Sequence, residues 1–211
     1  MGKVVYERDS IEFNRVIALT DGIYAVAMTL LVVSIGIPKV DPDDLTAELL
    51  SAHGQVLTFF ISVAVIGFYW LSNHHFVRHL RGIDPTYAGL NVVYLALIAF
   101  LPLPTALLDR YSHESITVVL YGANLLLISL MELALFSRAR RQGLFSSAPP
   151  ERAVRYSVLI VLIPVLVFAL AIPVGLLSSP TYTLAIWVLL NFPLRLLVER
   201  RLGPAAADPY V

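Results

Sequence analysis

The chain has 211 residues, 58% of them hydrophobic and only 14% charged, and its 15 basic and 15 acidic side chains balance to zero. Soluble domains carry about 25% charged residues, so this composition leaves no room for a soluble domain and the whole chain reads as one membrane unit. The zero balance removes any bulk electrostatic case for a nucleic-acid partner, and the absence of cysteine excludes disulfides, thiol catalysis and cysteine-held metal.

The opening stretch, residues 1–14, is polar and carries Glu7, Asp9 and Glu12. It lacks the basic-then-apolar start of a cleavable signal, and none is expected. Six apolar runs follow, over residues 13–37, 55–77, 87–108, 115–136, 154–177 and 182–198. A helix of about 20 residues crosses a ~30 Å hydrocarbon core. The expected fold is therefore an all-α integral membrane protein with six transmembrane helices. Pro102 and Pro104, Pro164 and Pro173, and Pro193 interrupt three of the runs, which membrane helices tolerate when neighbours satisfy the freed backbone groups. Residues 1–202 form a single transmembrane domain in this reading. Residues 203–211, with Gly203, Pro204 and three alanines, form a disordered tail.

The connections alternate in charge. One set holds Lys3, Arg8, Arg15, Arg78, Arg81, Arg138, Arg140, Arg141, Arg152, Arg155, Arg195, Arg200 and Arg201; the other holds only Lys39 and Arg110. Basic residues in short connections stay on the cytoplasmic side. Both termini are therefore expected in the cytoplasm, and an even number of spans agrees by putting them on one side, with the protein in the cell membrane. The first outer connection is acidic, with Asp41, Asp43, Asp44 and Glu48. It reads either as a solvated loop or as a local concentrator of cations.

Polar side chains within spans are costly and mark function by default. Arg15, Thr20 and Asp21 sit near the inner end of the first span, and Asn73, His74, His75 and His79 at the inner end of the second. Asn91, Asn124, Glu132 and Asn191 are scattered through the rest. At about 100° per residue, Arg15 and Asp21 diverge by about 120°, so each needs a partner from another helix or subunit. A histidine of the second span donating to Asp21 is a candidate pair. Such a network locks helices together, and that lock is also what would position a pore. Further along the first span, Val26, Leu30 and Val33 fall at i, i+4 and i+7 on one face.

The run Arg15-Val-Ile-Ala-Leu-Thr-Asp21-Gly22 resembles the RxxxFSDG signature of the TMEM175 family of potassium-permeable channels, with Leu19 and Thr20 in place of the usual Phe and Ser. The following Ile23-to-Val32 run, Tyr69-Trp70 with His74-His75, and Leu101-Pro-Leu-Pro-Thr105 are similar to that family's first three helices. The second half is similar mainly in hydropathy. One set of six spans matches the prokaryotic branch. The resemblance implies a homotetramer whose four first helices line the pore. It also implies an apolar filter at Val26, Leu30 and Val33, with Thr29 beside it offering a hydroxyl to a passing ion. Val26 is smaller than the family's usual Ile or Leu at its position.

An apolar ring cannot coordinate an ion, so it discriminates by size, dehydration cost and wetting. Nothing here matches the TVGYG carbonyl filter, and potassium dehydrates more readily than sodium. The expected function is a potassium-permeable cation channel, weakly selective over sodium, with other monovalent cations passing less well. Asp21 lies about 140° round the helix from Val26 and Arg15 only about 20°. Asp21 therefore takes a structural role, and Arg15 needs neutralising, with Asp21 of a neighbouring subunit as the candidate.

A secondary transporter of a small molecule or ion is the alternative, although spans 1–3 and 4–6 show no clear repeat. Enzyme chemistry is not expected. His75 and His79 stand at metal-binding spacing, but the remaining histidines, His53 and His113, lie on outer connections. No cofactor or metal is expected, and the partners are the lipid bilayer, permeant ions and further copies of the chain.

Overall fold

Apolar runs bounded by charged clusters, proline and glycine become helices in the computed structural model. It describes residues 4–35, 41, 43–51, 53–111, 114–147, 151–177, 190, 193–194, 196–198 and 200–201. In chain order the elements are β1 (Tyr6–Glu7), α1 (Ile11–Ile35), α2 (Leu45–Ser51), α3 (His53–Arg78), β2 (Gly82–Ile83), α4 (Pro85–Phe100), α5 (Pro102–Arg110), α6 (Ser115–Gln142) and α7 (Glu151–Leu177). Three stretches, Ile11–Val33, Pro85–Arg110 and Ser115–Gln142, are long and apolar enough to cross a membrane. The sixth expected span, 182–198, and the tail at 203–211 fall wholly or largely outside the described residues.

Local chemistry sets the helix ends. The Ser10 hydroxyl accepts from the Phe13 amide at 3.2 Å and opens α1. Asp84, extended at φ −107°, accepts from the Tyr87 amide, and Pro85 supplies the first turn of α4. At the far end of α6, Gly143 takes φ 64°. There the Leu144 amide reaches Ala139 O at 2.9 Å and the Gly143 amide reaches Arg140 O at 3.2 Å, the paired bonds of a Schellman stop. α6 runs six residues beyond its apolar run, ending at Gln142, because Ala-Arg-Arg-Gln favours helix and only Gly143 ends it.

The α4–α5 junction answers how the bundle carries Pro102. Proline has no amide hydrogen to donate to Ile98, so the Leu101 amide takes Ile98 O at 3.2 Å instead. That leaves the Leu97 carbonyl, Leu101's ordinary acceptor in an α-helix, for another donor. Asn124 Nδ2, reaching across from α6, supplies it at 3.2 Å. An intramembrane asparagine thus repairs a proline break on the helix opposite.

α1 packs against α3, α4 and α5; α4 and α5 pack against α6, and α6 against α7. At one end of the bundle the connections are stitched into a layer. β1 pairs antiparallel with β2, Tyr6 opposite Ile83. Arg81 N donates to Leu144 O at 2.8 Å, and Ser146 N to His79 O at 2.8 Å. Arg81 Nε reaches Gly143 O at 3.0 Å. The start of the chain, the α3–α4 connection and the α6–α7 connection therefore share one end. They carry basic residues of the rich set. Gly82 is required there, since a Cβ would stand 2.5 Å from Tyr6 O.

Asp84 is the pivot of this layer. Besides capping α4, it receives Arg138 Nη2 at 2.6 Å and Nε at 3.0 Å, while its side chain is 8% exposed. Asp84→Asn keeps the cap and loses the ion pair; Asp84→Ala loses both. Thermal unfolding in detergent should rank both below wild type, with the alanine variant lower by a further ~1 kcal/mol. Equal stability of the two variants would show that the cap contributes nothing.

Candidate functional site

α1 has two faces. Thr20, Tyr24, Ala27 and Leu31, with Phe13 before them, are buried against the rest of the chain. On the far side of the same helix lie Arg15, Gly22 and Thr29, all exposed. Val26 is 52% exposed, Leu30 45% and Val33 71%, whereas Leu31 is fully buried. The stripe singled out by spacing thus lies on the face that the chain leaves uncovered. Thr29 donates its hydroxyl proton to Val26 O at 2.8 Å. The hydroxyl oxygen keeps its lone pairs for another donor or for a cation.

Two hydrogen bonds to α4, backed by bonds among α3, α4 and α6, orient that face by fixing the other one. Asn91 Nδ2 of α4 donates to Thr20 Oγ1 at 2.9 Å, and Thr20 in turn donates to Val16 O at 2.8 Å. One turn along, the hydroxyls of Tyr24 and Tyr94 meet in the interior. Tyr94 donates to Glu132 Oε1 of α6 at 3.4 Å. On α3, Tyr69 exchanges a hydrogen bond with Ser129 of α6 at 3.0 Å. Rotating α1 would break the Thr20 and Tyr24 ties together, so they fix which residues point outward.

Asp21 sits at the border of the two faces. Its donor is Trp70, whose Nε1 lies 2.9 Å from Oδ1, and not a histidine. His74 stacks on the Trp70 ring, centroids 5.4 Å apart and planes 25° from parallel. His75 meets His74 edge-on at 6.3 Å. The reason is reach: Trp70 stands one turn along α3 from His74, and its long indole brings the N–H to α1 while its face supports the imidazole. Asp21, His74 and His75 are exposed, so the cluster lies on the flank of the chain and not in its core. Arg15 is exposed too, and among the described residues it has no hydrogen-bond or ion-pair partner. Asn73 is buried. Asn191 lies outside the described residues.

Sequence reasoning grouped Thr20 with Arg15 and Asp21, yet Thr20 turns inward to Asn91. It treated Asn91 and Glu132 as scattered, gave Tyr24 and Tyr69 no role beyond the resemblance, and passed over Tyr94 and Ser129. A signal was present. Thr20 and Tyr24 stand at i, i+4 on α1, and Asn91 and Tyr94 at i, i+3 on α4, spacings that put each pair on one face. Two matching polar pairs are what two packed helices need to meet twice.

The chain is similar to known proteins over most of its length. The family model described as endosomal/lysosomal potassium channel TMEM175 matches residues 15–102, beginning at Arg15. A potassium channel of Streptomyces collinus is 32% identical over 153 residues, 68% of this chain and 74% of that protein. A potassium channel of Chamaesiphon minutus is 36% identical over 103 residues, and the match spans 51% of its length. The mouse endosomal/lysosomal proton channel TMEM175 is 31% identical over 139 residues, but the match covers only 28% of it. Among solved structures, the Chamaesiphon minutus homolog of the lysosomal potassium-selective channel TMEM175 superposes with a TM-score of 0.71 at 25% identity. The superposition covers 89% of this chain and 98% of that one. The structure of the potassium channel MtTMEM175 has the same fold, with a TM-score of 0.66 at 20% identity. The stretch from Arg15 to Pro102 and the fold that carries it assign the chain to the TMEM175 family.

Proposed function

We propose that the chain is a potassium-permeable cation channel of the cell membrane, with six spans per subunit and four subunits whose α1 helices surround the pore. The observation that carries this reading is the uncovered face of α1. Val26, Leu30 and Val33 form an apolar stripe on the side turned away from the subunit, and the helix is held in that rotation by the Thr20 and Tyr24 ties. The relatives' names support potassium as the permeant ion.

In this reading the stripe forms stacked apolar rings around the axis. The rings offer no ligands, so passage depends on shedding and regaining water, and potassium passes more easily than sodium. Selectivity is accordingly weak, and other monovalent cations follow. Thr29 borders the ring and offers its oxygen lone pairs. Arg15 shares the pore-side azimuth and is neutralised by Asp21 of the adjacent subunit, since a bare ring of arginines would repel cations. Asp21, Trp70, His74 and His75 form the lateral polar seam on which the adjacent subunit rests, because exposed polar groups at membrane depth need cover. The basic end of the bundle faces the cytoplasm, and both termini with it.

Reversal potentials in planar bilayers under asymmetric potassium and sodium test the pore face, because they do not depend on how much protein inserts. Leu30→Ala should raise current and move the reversal potential toward the non-selective value. Leu31→Ala empties a fully buried position. It should lower yield, by analogy with the ~2–5 kcal/mol lost in soluble cores, and leave the reversal potential alone. The opposite pattern would place the pore on another face.

The seam has its own test. Trp70→Phe keeps a ring for His74 and removes the donor to Asp21, a bond to a charged group worth ~1.5–3 kcal/mol. The tetramer should weaken in native mass spectrometry, and Asp21→Ala should weaken it further. A wild type that is monomeric in mild detergent would sink the pore reading itself.

A further inference from the structure

Glu132 is half-buried in α6, inside the apolar part of that helix. A carboxylate at such a place is costly and calls for a use. Two phenols connect it to α1: Tyr94 of α4 donates to its Oε1, and Tyr24 of α1 meets Tyr94. Both phenols are buried, Tyr24 at 1% exposure and Tyr94 at 0%. Tyr94 is the one hydrogen-bond partner of the Tyr24 hydroxyl among the described residues.

Proton counting gives this chain a direction. An ionised carboxylate only accepts, and a phenol has one proton to give. With Glu132 ionised, Tyr94 spends its proton on Glu132, so Tyr24 must donate to Tyr94. Every proton in the run points from α1 toward α6, and the terminal bond is charge-assisted. A proton on Glu132 ends both conditions. The carboxyl can then donate to Tyr94, Tyr94 can turn its own proton toward Tyr24, and Tyr24 is left holding a proton with no second acceptor. The tie between α1 and α4 changes with a single protonation.

Among the described residues, the phenols around Glu132 come from three helices. Tyr69 faces it from α3, Tyr94 from α4 and Tyr24 from α1, and the charge of Asp21 reaches Tyr24. α7, packed along α6, has no ionisable side chain after Tyr156. Arg138, the next charge along α6, is held by Asp84.

We propose that Glu132 is a proton-binding site inside the helix bundle, and that Tyr94 and Tyr24 carry its protonation state to α1 and make ion flux depend on pH. The proton site stands on the Glu132 geometry alone; its effect on flux rests on α1 lining the pore. Tyr24 lies two residues before Val26 on one stiff helix, so movement of one displaces the other.

The test uses the whole chain in phosphatidylcholine vesicles, as wild type, Glu132→Gln and Tyr94→Phe, with Tyr24→Phe as a second break in the run. Infrared difference spectra between about pH 8 and about pH 4 bracket carboxyl titration. Over the signal of the other carboxyls, they should show a protonated carboxyl component in wild type and Tyr94→Phe that is missing from Glu132→Gln. Potassium flux should differ between the two pH limits in wild type. The difference should vanish in all three variants, with Glu132→Gln fixed at the acid value. A band identical in wild type and Glu132→Gln overturns the site, and a full pH response in Glu132→Gln or Tyr94→Phe overturns the coupling. A Glu132 band in vesicles that carry no potassium at any pH upholds the proton site and sinks the pore reading.

Discussion

Hydrocarbon offers no hydrogen bonds, and this constraint organises the bundle. A polar group placed in a span must be answered by another span, at a cost of several kcal/mol per group if it is not. The chain meets that demand with pairs that cross between helices: Asn91 to Thr20, Tyr94 to Tyr24 and Glu132, Tyr69 to Ser129, Asn124 to the carbonyl that Pro102 frees. Among the described residues, the hydroxyl of Tyr87 is the one buried side-chain group without a partner. Because apolar packing between membrane helices gains little over packing against lipid, these directional bonds set register and rotation.

For α1 the result is a helix held on one side and uncovered on the other. A helix that is apolar all round has no preferred rotation from hydrophobicity alone. Two polar ties one turn apart supply the preference, and they decide that Leu31 is buried while Leu30 is not. The uncovered stripe is thus a by-product of where Thr20 and Tyr24 find their partners.

The basic end of the bundle works differently. There the geometry comes from backbone. β1 with β2, Leu80 opposite Phe145, and the guanidinium of Arg81 on the end of α6 join three connections that are far apart in sequence. Gly82 permits the closest approach and Gly143 ends α6 in time to make it. The pivot, Asp84 with Arg138, ties the start of α4 to the end of α6.

Periodicity and length are local properties, so membrane class, apolar runs and the grouping of basic connections were legible from residue order alone. The family was legible too, because its signature is a contiguous run from Arg15 to Gly22. The stripe Val26, Leu30 and Val33 followed from the pitch of one helix and the position of that run. What the sequence could not decide is which face of α1 is covered, since that depends on partners 70 and 71 residues away. Nor could it assign the donor to Asp21. Histidine was the obvious candidate by charge, and Trp70 takes the place because the separation of α1 and α3 suits an indole's reach. The pairing of Asn124 with a carbonyl freed by Pro102 likewise joins a side chain and a backbone break on separate helices. Such matches exist only once the helices are packed, because a hydrogen bond is specified by a distance and an angle and not by residue type.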